Sequence, residues 1–471
     1  MSQTAAVLAD LSPARRRLAF YILLAGGLLP SLNTFMVTIA LPAIRDALDA
    51  SDSETNLIIA GYSSAYAVCL VNGGRLADLF GRRLVFLAGM AGFTLCSLLC
   101  GLAPNSLLLV SARVFQGICG AMIAPPVLAA LRTLFSGEDI PWALNIYGTG
   151  IGVAVAGGQL LGGMLIAADI GGFGWRSAFL INVPIGLVVI AAALALVPES
   201  GGSEKPRLDI AGVLLLSAAL GVLVVGLSIG RKQGWSAWVL AMIVASPLLL
   251  ALFFAYEKRI AREGGMPLLD PALLQIGTFR RGLVVALLFF FTSPFYLFFS
   301  LYLQAGLGEG ALAAGLAVLP YGVANFVGPM MATKAPAGLR PWLFGLGMGV
   351  QIVFGYAAVG LCAATQTGGA PLFLALFVGG FGQGVAMPEM INLILGDVPA
   401  KDTGFAAGAM NSTLQIGSAI SVAAIGSLFF AVLGNGSGPG AYGHALGMVM
   451  AAICVCLTGS LLLGLVNQAR R

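Results

Sequence analysis

Asp78, Arg82 and Arg83 close a run of charge and glycine, Gly74 to Arg83, that separates two long apolar stretches. Such a turn either anchors the chain electrostatically at a membrane surface or serves as a moving joint whose ion pairs make and break; its flanking glycines suit the joint better. Arg113 is the other exceptional charge. It stands about six residues inside an apolar run, roughly 9 Å deep at the helical rise, where insertion costs about 2.5–3.5 kcal/mol. That cost demands a wet cavity or a partner, so Arg113 either bonds backbone carbonyls or handles substrate or protons. Asn33 lies at a similar depth in another apolar run and can accept a hydrogen bond from Arg113, yet it cannot titrate. Glu389 is placed inside a late apolar run, with Pro388 loosening the helix and Asn392 one turn on. It either reaches back to the surface or carries protons and draws cations. Tyr62 and Tyr66, and likewise Asn411 and Gln415, are four apart and share a helix face. Each pair lines a cavity or joins neighbouring helices.

Other chemistries are missing from the sequence. No phosphate-binding loop is present, since the Gly379 to Gly384 stretch lies in an apolar run and lacks a Lys-Ser/Thr ending. An enzyme acting on lipids would need clustered His, Asp or Glu, and the chain has one histidine, His444, expected near a membrane interface. The seven cysteines lie in or beside apolar runs and read as small buried side chains rather than disulfides or metal ligands. No cofactor is expected, and nucleic acid is excluded because no soluble basic face exists.

The elements that hold these residues are membrane helices. The chain is 59% apolar and only 9% charged, and about 20 apolar residues suffice to cross the hydrocarbon core. Outer-membrane barrels alternate polar and apolar residues, which these runs do not. Fourteen spans are expected near 18–41, 54–77, 83–103, 107–130, 142–168, 176–197, 208–229, 237–257, 279–304, 310–332, 341–362, 370–395, 403–433 and 443–467. The fold class is therefore an all-α integral membrane protein. All basic residues except Arg45, Arg113, Arg176, Arg231 and Lys232 then fall on, or just inside, the face that carries both termini, which places that face in the cytoplasm. No cleavable leader is expected, so the first span stays in the protein. The expected setting is the inner membrane, multi-pass, with lipid as the only constant partner and the chain acting as a monomer.

Two polar breaks, Pro198 to Asp209 and Glu257 to Thr278, divide the chain. The expected organisation is a cytoplasmic tail (1–17), a six-helix bundle (18–197), loops with two accessory helices (198–278), a second six-helix bundle (279–467) and a short tail (468–471). The bundles look like decayed repeats: Gly117 and Pro125 are spaced as Gly380 and Pro388 are, and Gly338 and Arg340 partly echo the first charged turn. Repeated bundles that rock about a central site are a recurring design for transport.

The whole chain resembles the major facilitator superfamily, and within it the fourteen-span drug:proton antiporter branch. Gly74, Leu76, Ala77, Asp78, Gly81, Arg82 and Arg83 match the superfamily's gating motif, and Arg113, Gln116 and Gly117 match its membrane-embedded arginine motif. Trp175, Arg176, Phe179, Asn182, Pro184 and Gly186, together with Tyr302-Leu303-Gln304, match branch signatures. The resemblance implies two six-helix bundles plus two accessory helices and efflux of amphipathic or lipophilic small molecules against inward proton flow. It also implies that Asp78 caps a helix of the other bundle while Arg82 pairs with an acid such as Glu138 or Asp139. Two positions depart from the branch. Asn33 stands where an aspartate is usual, and Gln159 replaces the proline of the span 5 motif, in Gly158 to Gly163. Loss of the acid opens an alternative: export of neutral or anionic lipids or natural products without obligate proton coupling.

Overall fold

A computed structural model describes residues 12–135, 139–197, 209–230, 233–263, 265, 267, 273–336, 338–399 and 403–469. Fourteen long helices account for nearly all of them, with no strand among the described residues. In chain order they are α1 (Pro13–Leu48), α2 (Asp52–Phe80), α3 (Arg82–Gly101), α4 (Ser106–Leu134), α5 (Asp139–Ala168), α6 (Gly174–Leu196) and α7 (Ile210–Ile229). The remainder are α8 (Ala237–Arg262), α9 (Gly277–Gly306), α10 (Ala311–Thr333), α11 (Leu343–Ala364), α12 (Ala370–Leu395), α13 (Thr403–Leu433) and α14 (Gly438–Ala469). Over their described residues, twelve of these are long and apolar enough to cross a membrane. Successive helices run antiparallel, so the starts of α1 and the end of α14 share one face, called here the terminal face.

Local chemistry explains where the helices begin and end. Ser51 and Glu54 form a reciprocal capping box at the start of α2, and the same Glu54 receives the Ser106 hydroxyl at 2.5 Å, tying α2 to the first turn of α4. Gly81, at φ 98°, makes the turn from α2 to α3, a conformation only glycine adopts without strain. Several helices outrun their expected limits, α1 and α8 among them. α1 continues through Pro42 to Leu48, where Arg45 meets Asp52 at 2.8 Å and Asp49 takes the left-handed cap. α8 continues through its charged end, supported by an Arg259–Glu263 pair one turn apart at 2.8 Å. With the helix continuing past it, Glu257 lies inside α8 and is fully buried, beside Asp209 and against Gly212 of α7.

Helices α1–α6 form one bundle and α9–α14 another, and each is held by glycine crossings. Within the first, a Cβ on Gly117 of α4 would stand 2.5 Å from the Tyr62 carbonyl of α2. Within the second, a Cβ on Gly380 of α12 would stand 2.1 Å from the Tyr321 carbonyl of α10. The glycine repeat seen in the sequence is therefore a repeated joint, where the absence of a side chain lets two backbones touch.

The bundles meet near the distal face, opposite the termini. Gly163 of α5 sits on the Ala311 carbonyl of α10, and Gly315 of α10 sits on the Gln159 carbonyl, both closer than any side chain permits. Phe35 of α1 packs edge-on against Tyr296 of α9 at 5.0 Å, and the Gln304 amide donates to the Ile39 carbonyl at 2.9 Å. Asn56 of α2 lies flat against Gly426 of α13, and the Arg45 guanidinium rests 5.3 Å from the Phe430 ring centre. The accessory helices flank this seam. Leu216 and Leu220 of α7, with Phe253 of α8, cluster with Val68 of α2 and Ile416 and Ile420 of α13. The Ser427 hydroxyl of α13 donates to the Leu227 carbonyl of α7. α7 thus touches both bundles at once.

Candidate functional site

Arg113 lies at the centre of the first bundle with no exposed surface. α4 carries it against α2, and three acceptors meet it there. Its Nε donates to the Ile58 carbonyl at 3.1 Å, and its Nη1 donates to Asn33 Oδ1 at 2.9 Å and to Gln116 Oε1 at 2.7 Å. The Tyr62 ring forms the floor, with the guanidinium carbon 3.9 Å above its centre. Gln116 in turn donates to the Ser97 hydroxyl at 2.7 Å, and Ser97 donates to the Phe93 carbonyl at 2.8 Å. Asn33 donates to the Ala178 carbonyl of α6 at 3.4 Å. The network spans α1, α2, α3, α4 and α6, so it also locks the bundle together.

Every partner of Arg113 is neutral. A buried guanidinium ordinarily finds a carboxylate, and here an amide occupies that place. Its Nη2 has no hydrogen-bond partner. Gln159, only 1% exposed, has neither amide atom bonded, and its backbone is the one pressed against Gly315 of the other bundle. Asn182 of α6 is likewise buried with both amide atoms unsatisfied. Unmet polar groups at this density are costly in a dry interior.

The other expected residues divide by location. Tyr62 and Tyr66 stack at 6.0 Å beside Arg113, and the Tyr62 hydroxyl donates to the Pro30 carbonyl at 3.3 Å. Glu389, Asn411 and Gln415 are half-buried and Asn392 is exposed; all four belong to the second bundle and none joins the Arg113 network. At the terminal face, Arg83 donates to the Leu194 carbonyl at the end of α6, and Arg82 is half-buried. The side chains of Asp78 and Asp139, and the whole of Glu138, the expected partners at this gate, lie outside the described residues. No grouping of His, Cys, Asp and Glu fit to hold a metal occurs among the described residues.

A second polar centre was not foreseen. In the C-terminal bundle the Tyr321 and Tyr356 hydroxyls meet at 2.8 Å. Gln383 Oε1 accepts from Tyr321, from Gln351 at 3.1 Å and from Tyr356 at 3.4 Å. Phe295 and Tyr296 wrap these rings at centroid distances of 5.1 to 5.7 Å. Gln351 opens a π-helical stretch, Gln351–Ala357, that also carries Tyr356, a distortion frequent at functional sites. The signal was available, since Gln351 and Gln383 are amides inside apolar spans, as Asn33 is.

Residues 23–422 match the family model described as Major Facilitator Superfamily. The chain belongs to this superfamily. This member is a multi-pass membrane transporter and not an enzyme. It is 36% identical over 433 residues to a probable actinorhodin transporter of Streptomyces coelicolor, covering 90% of this chain and 74% of that protein. It is 32% identical to the tetracenomycin C resistance and export protein of Streptomyces glaucescens, over 87% of this chain and 75% of that one. With the multidrug resistance protein Stp of Mycobacterium tuberculosis the identity is 30%, over 85% and 74%. In fold, this facilitator is similar to a bacterial homologue of the lysosomal transporter Spinster in an inward-facing, unoccupied state, with a TM-score of 0.69, 17% identity and 98% of each chain covered.

Proposed function

We propose that this transporter exports amphipathic or lipophilic small molecules by alternating access, taking them from the cytoplasm or inner leaflet to the outside. Relatives named for export of, or resistance to, actinorhodin, tetracenomycin C and multiple drugs support that direction. The observation that carries the reading is the buried Arg113 with neutral partners and one nitrogen unmet, in a bundle whose distal contacts with its twin are closed. In this reading the terminal face is cytoplasmic, because the basic residues gather there, and the membrane is the bacterial inner membrane. The division into bundles at 18–197 and 279–467, with accessory helices between, is the working domain scheme, and the transporter acts as a monomer.

Roles follow from position. Asp78, Arg82 and Arg83 act at the cytoplasmic gate. Asn33, Arg113, Gln116, Tyr62, Tyr66 and Gln159 belong to the substrate pathway on the first bundle. Glu389, Asn392, Asn411 and Gln415 belong to the pathway on the second. Proton coupling, which the usual aspartate at position 33 would serve, falls to Glu389. A second reading is favoured by the charge at the centre: an uncompensated guanidinium attracts carboxylate- or phenolate-bearing and neutral substrates and repels cations.

The test is flux in vesicles holding the purified transporter, with an imposed pH gradient and cationic, neutral and anionic candidates. Gradient-driven flux that Glu389→Gln removes is the expected result. Flux indifferent to both ends proton coupling, and strong preference for cationic dyes ends the second reading.

A further inference from the structure

Two polar side chains reach across the distal seam, and both act on α1. The Gln304 amide of α9 donates to the Ile39 carbonyl at 2.9 Å. The Arg45 guanidinium rests 5.3 Å from the Phe430 ring centre of α13, within the range of a cation–π contact. These points flank Pro42, which follows Ile39 by three residues and precedes Arg45 by three. Proline brings no N–H to the Thr38 carbonyl, so the α1 ladder lacks a rung between them. Each bridging group also has a partner in its own bundle. Arg45 pairs with Asp52 of α2 at 2.8 Å, and the Gln304 amide donates to the Ser300 hydroxyl at 2.8 Å. When the bundles part, Arg45 keeps its counter-ion and Gln304 keeps an acceptor. Contacts whose loss strands a buried group resist opening; these two do not strand one. The glycine crossings nearby, Gly163 on Ala311 and Gly315 on Gln159, let backbones approach but supply no side chain that holds them. Gln304 lies in a π-helical turn, Tyr302–Gly306, a distortion frequent at functional sites.

We propose that Gln304 and Arg45 form a two-point latch that holds α1 against the second bundle and keeps the distal face shut. Opening returns each group to the partner in its own bundle. The latch rests on the alternating-access reading, and it gives the Tyr302-Leu303-Gln304 signature a role that the substrate pathway does not. It also differs in kind from the gate proposed at the terminal face. Asp78, Arg82 and Arg83 are charges, whereas here the second bundle offers α1 an amide and a ring in place of a counter-charge. Removing either cross-seam contact weakens the closed state alone, so the population moves toward the distally open one.

Hydrogen exchange by mass spectrometry on the full-length transporter in nanodiscs tests this without transport, since exchange reads local opening. Gln304→Met keeps the length of the side chain and removes the donor. Phe430→Leu removes the ring and leaves Arg45 on Asp52, and it stands in if the first variant does not fold. The expected result for both is several-fold faster exchange across the distal face, at residues 36–48, 52–57, 300–306 and 426–433. Slower exchange at the terminal face, at residues 82–88 and 389–395, accompanies it. Phe430→Tyr, which keeps the ring face, behaves as the parent. Distal exchange unchanged in both variants overturns the latch and leaves the export reading untouched. So does faster exchange confined to the substituted segment, or an effect of Phe430→Tyr equal to that of Phe430→Leu, since either is a loss of packing. Faster exchange over the whole distal face with no slowing at the terminal face upholds the latch and overturns alternating access instead.

Discussion

The two bundles share a joint and differ in what surrounds it. Gly117 rests on the Tyr62 carbonyl in one and Gly380 on the Tyr321 carbonyl in the other, so α2 crosses α4 as α10 crosses α12. Beside the first joint lies a buried cation held by amides, with Tyr62 as its floor. Beside the second, the corresponding tyrosine points its hydroxyl into a neutral network of Tyr356, Gln351 and Gln383. Backbone contact is thus what the two bundles share, and side-chain chemistry is where they differ. A rocking mechanism needs the joint on both sides, whereas substrate choice needs polarity on only one.

The comparison breaks most sharply at Arg113. Arg113→Met removes the only charge in the first centre and strands Asn33 Oδ1 and Gln116 Oε1, each of which now accepts from it. A hydrogen bond to a charged group contributes about 1.5–3 kcal/mol, so losing even one in the transport cycle slows flux roughly 10–150-fold. Gln383→Leu, the matched lesion in the neutral centre, has a smaller effect on initial vesicle flux. Equal losses would make the two centres functional equivalents.

The joints themselves should behave alike. Gly117→Ala and Gly380→Ala each place a methyl within 2.5 and 2.1 Å of a carbonyl oxygen, and such overpacking costs about 1–3 kcal/mol. Thermal unfolding in detergent should fall by similar amounts for both, with Gly380→Ala at least as severe. Unequal costs would mean that the repeat is a likeness of sequence spacing only.

Much of this was legible in the residues, for reasons specific to membranes. Apolarity is a local property, so the fourteen helices stood out, twelve of them long and apolar enough to span over their described residues, and a charge in hydrocarbon requires a partner, so the Arg113–Asn33 contact could be anticipated. Helix ends were less visible: α1 passes Pro42 and α8 passes Glu257 because caps and i,i+4 pairs, not hydropathy, set those limits. The Tyr321–Gln383 network escaped because a neutral amide in an apolar run is a weaker signal than a charge. The seat of α7 between the bundles was invisible for a deeper reason. Lipid is as apolar as a packed helix surface, so nothing in α7's composition separates the side that meets Val68 and Ile416 from the side that meets the bilayer.

Asn33→Asp sharpens the contrast by cancelling it. The new carboxylate would stand where Oδ1 now meets Nη1 at 2.9 Å, neutralising the guanidinium and leaving both bundles without net charge at their centres. Preference measured as cation over anion flux should rise about tenfold or more, within the range of ordinary coupling between sites. An unchanged ratio would mean that Arg113 serves the packing of five helices and never meets substrate.

The smallest effect is expected from Tyr321→Phe. The lost hydroxyl bonds to Tyr356 and donates to Gln383, but Gln383 keeps donors from Gln351 at 3.1 Å and Tyr356 at 3.4 Å, so no acceptor is orphaned. The ring remains packed on Phe295 at 5.1 Å. Stability should fall by about 1 kcal/mol, the net contribution of a neutral hydrogen bond, with flux altered less than twofold. The informative quantity is the difference between the two readouts. If flux fell far more than stability, the neutral network would have to contact the transported molecule, and selectivity would be divided between the two bundles.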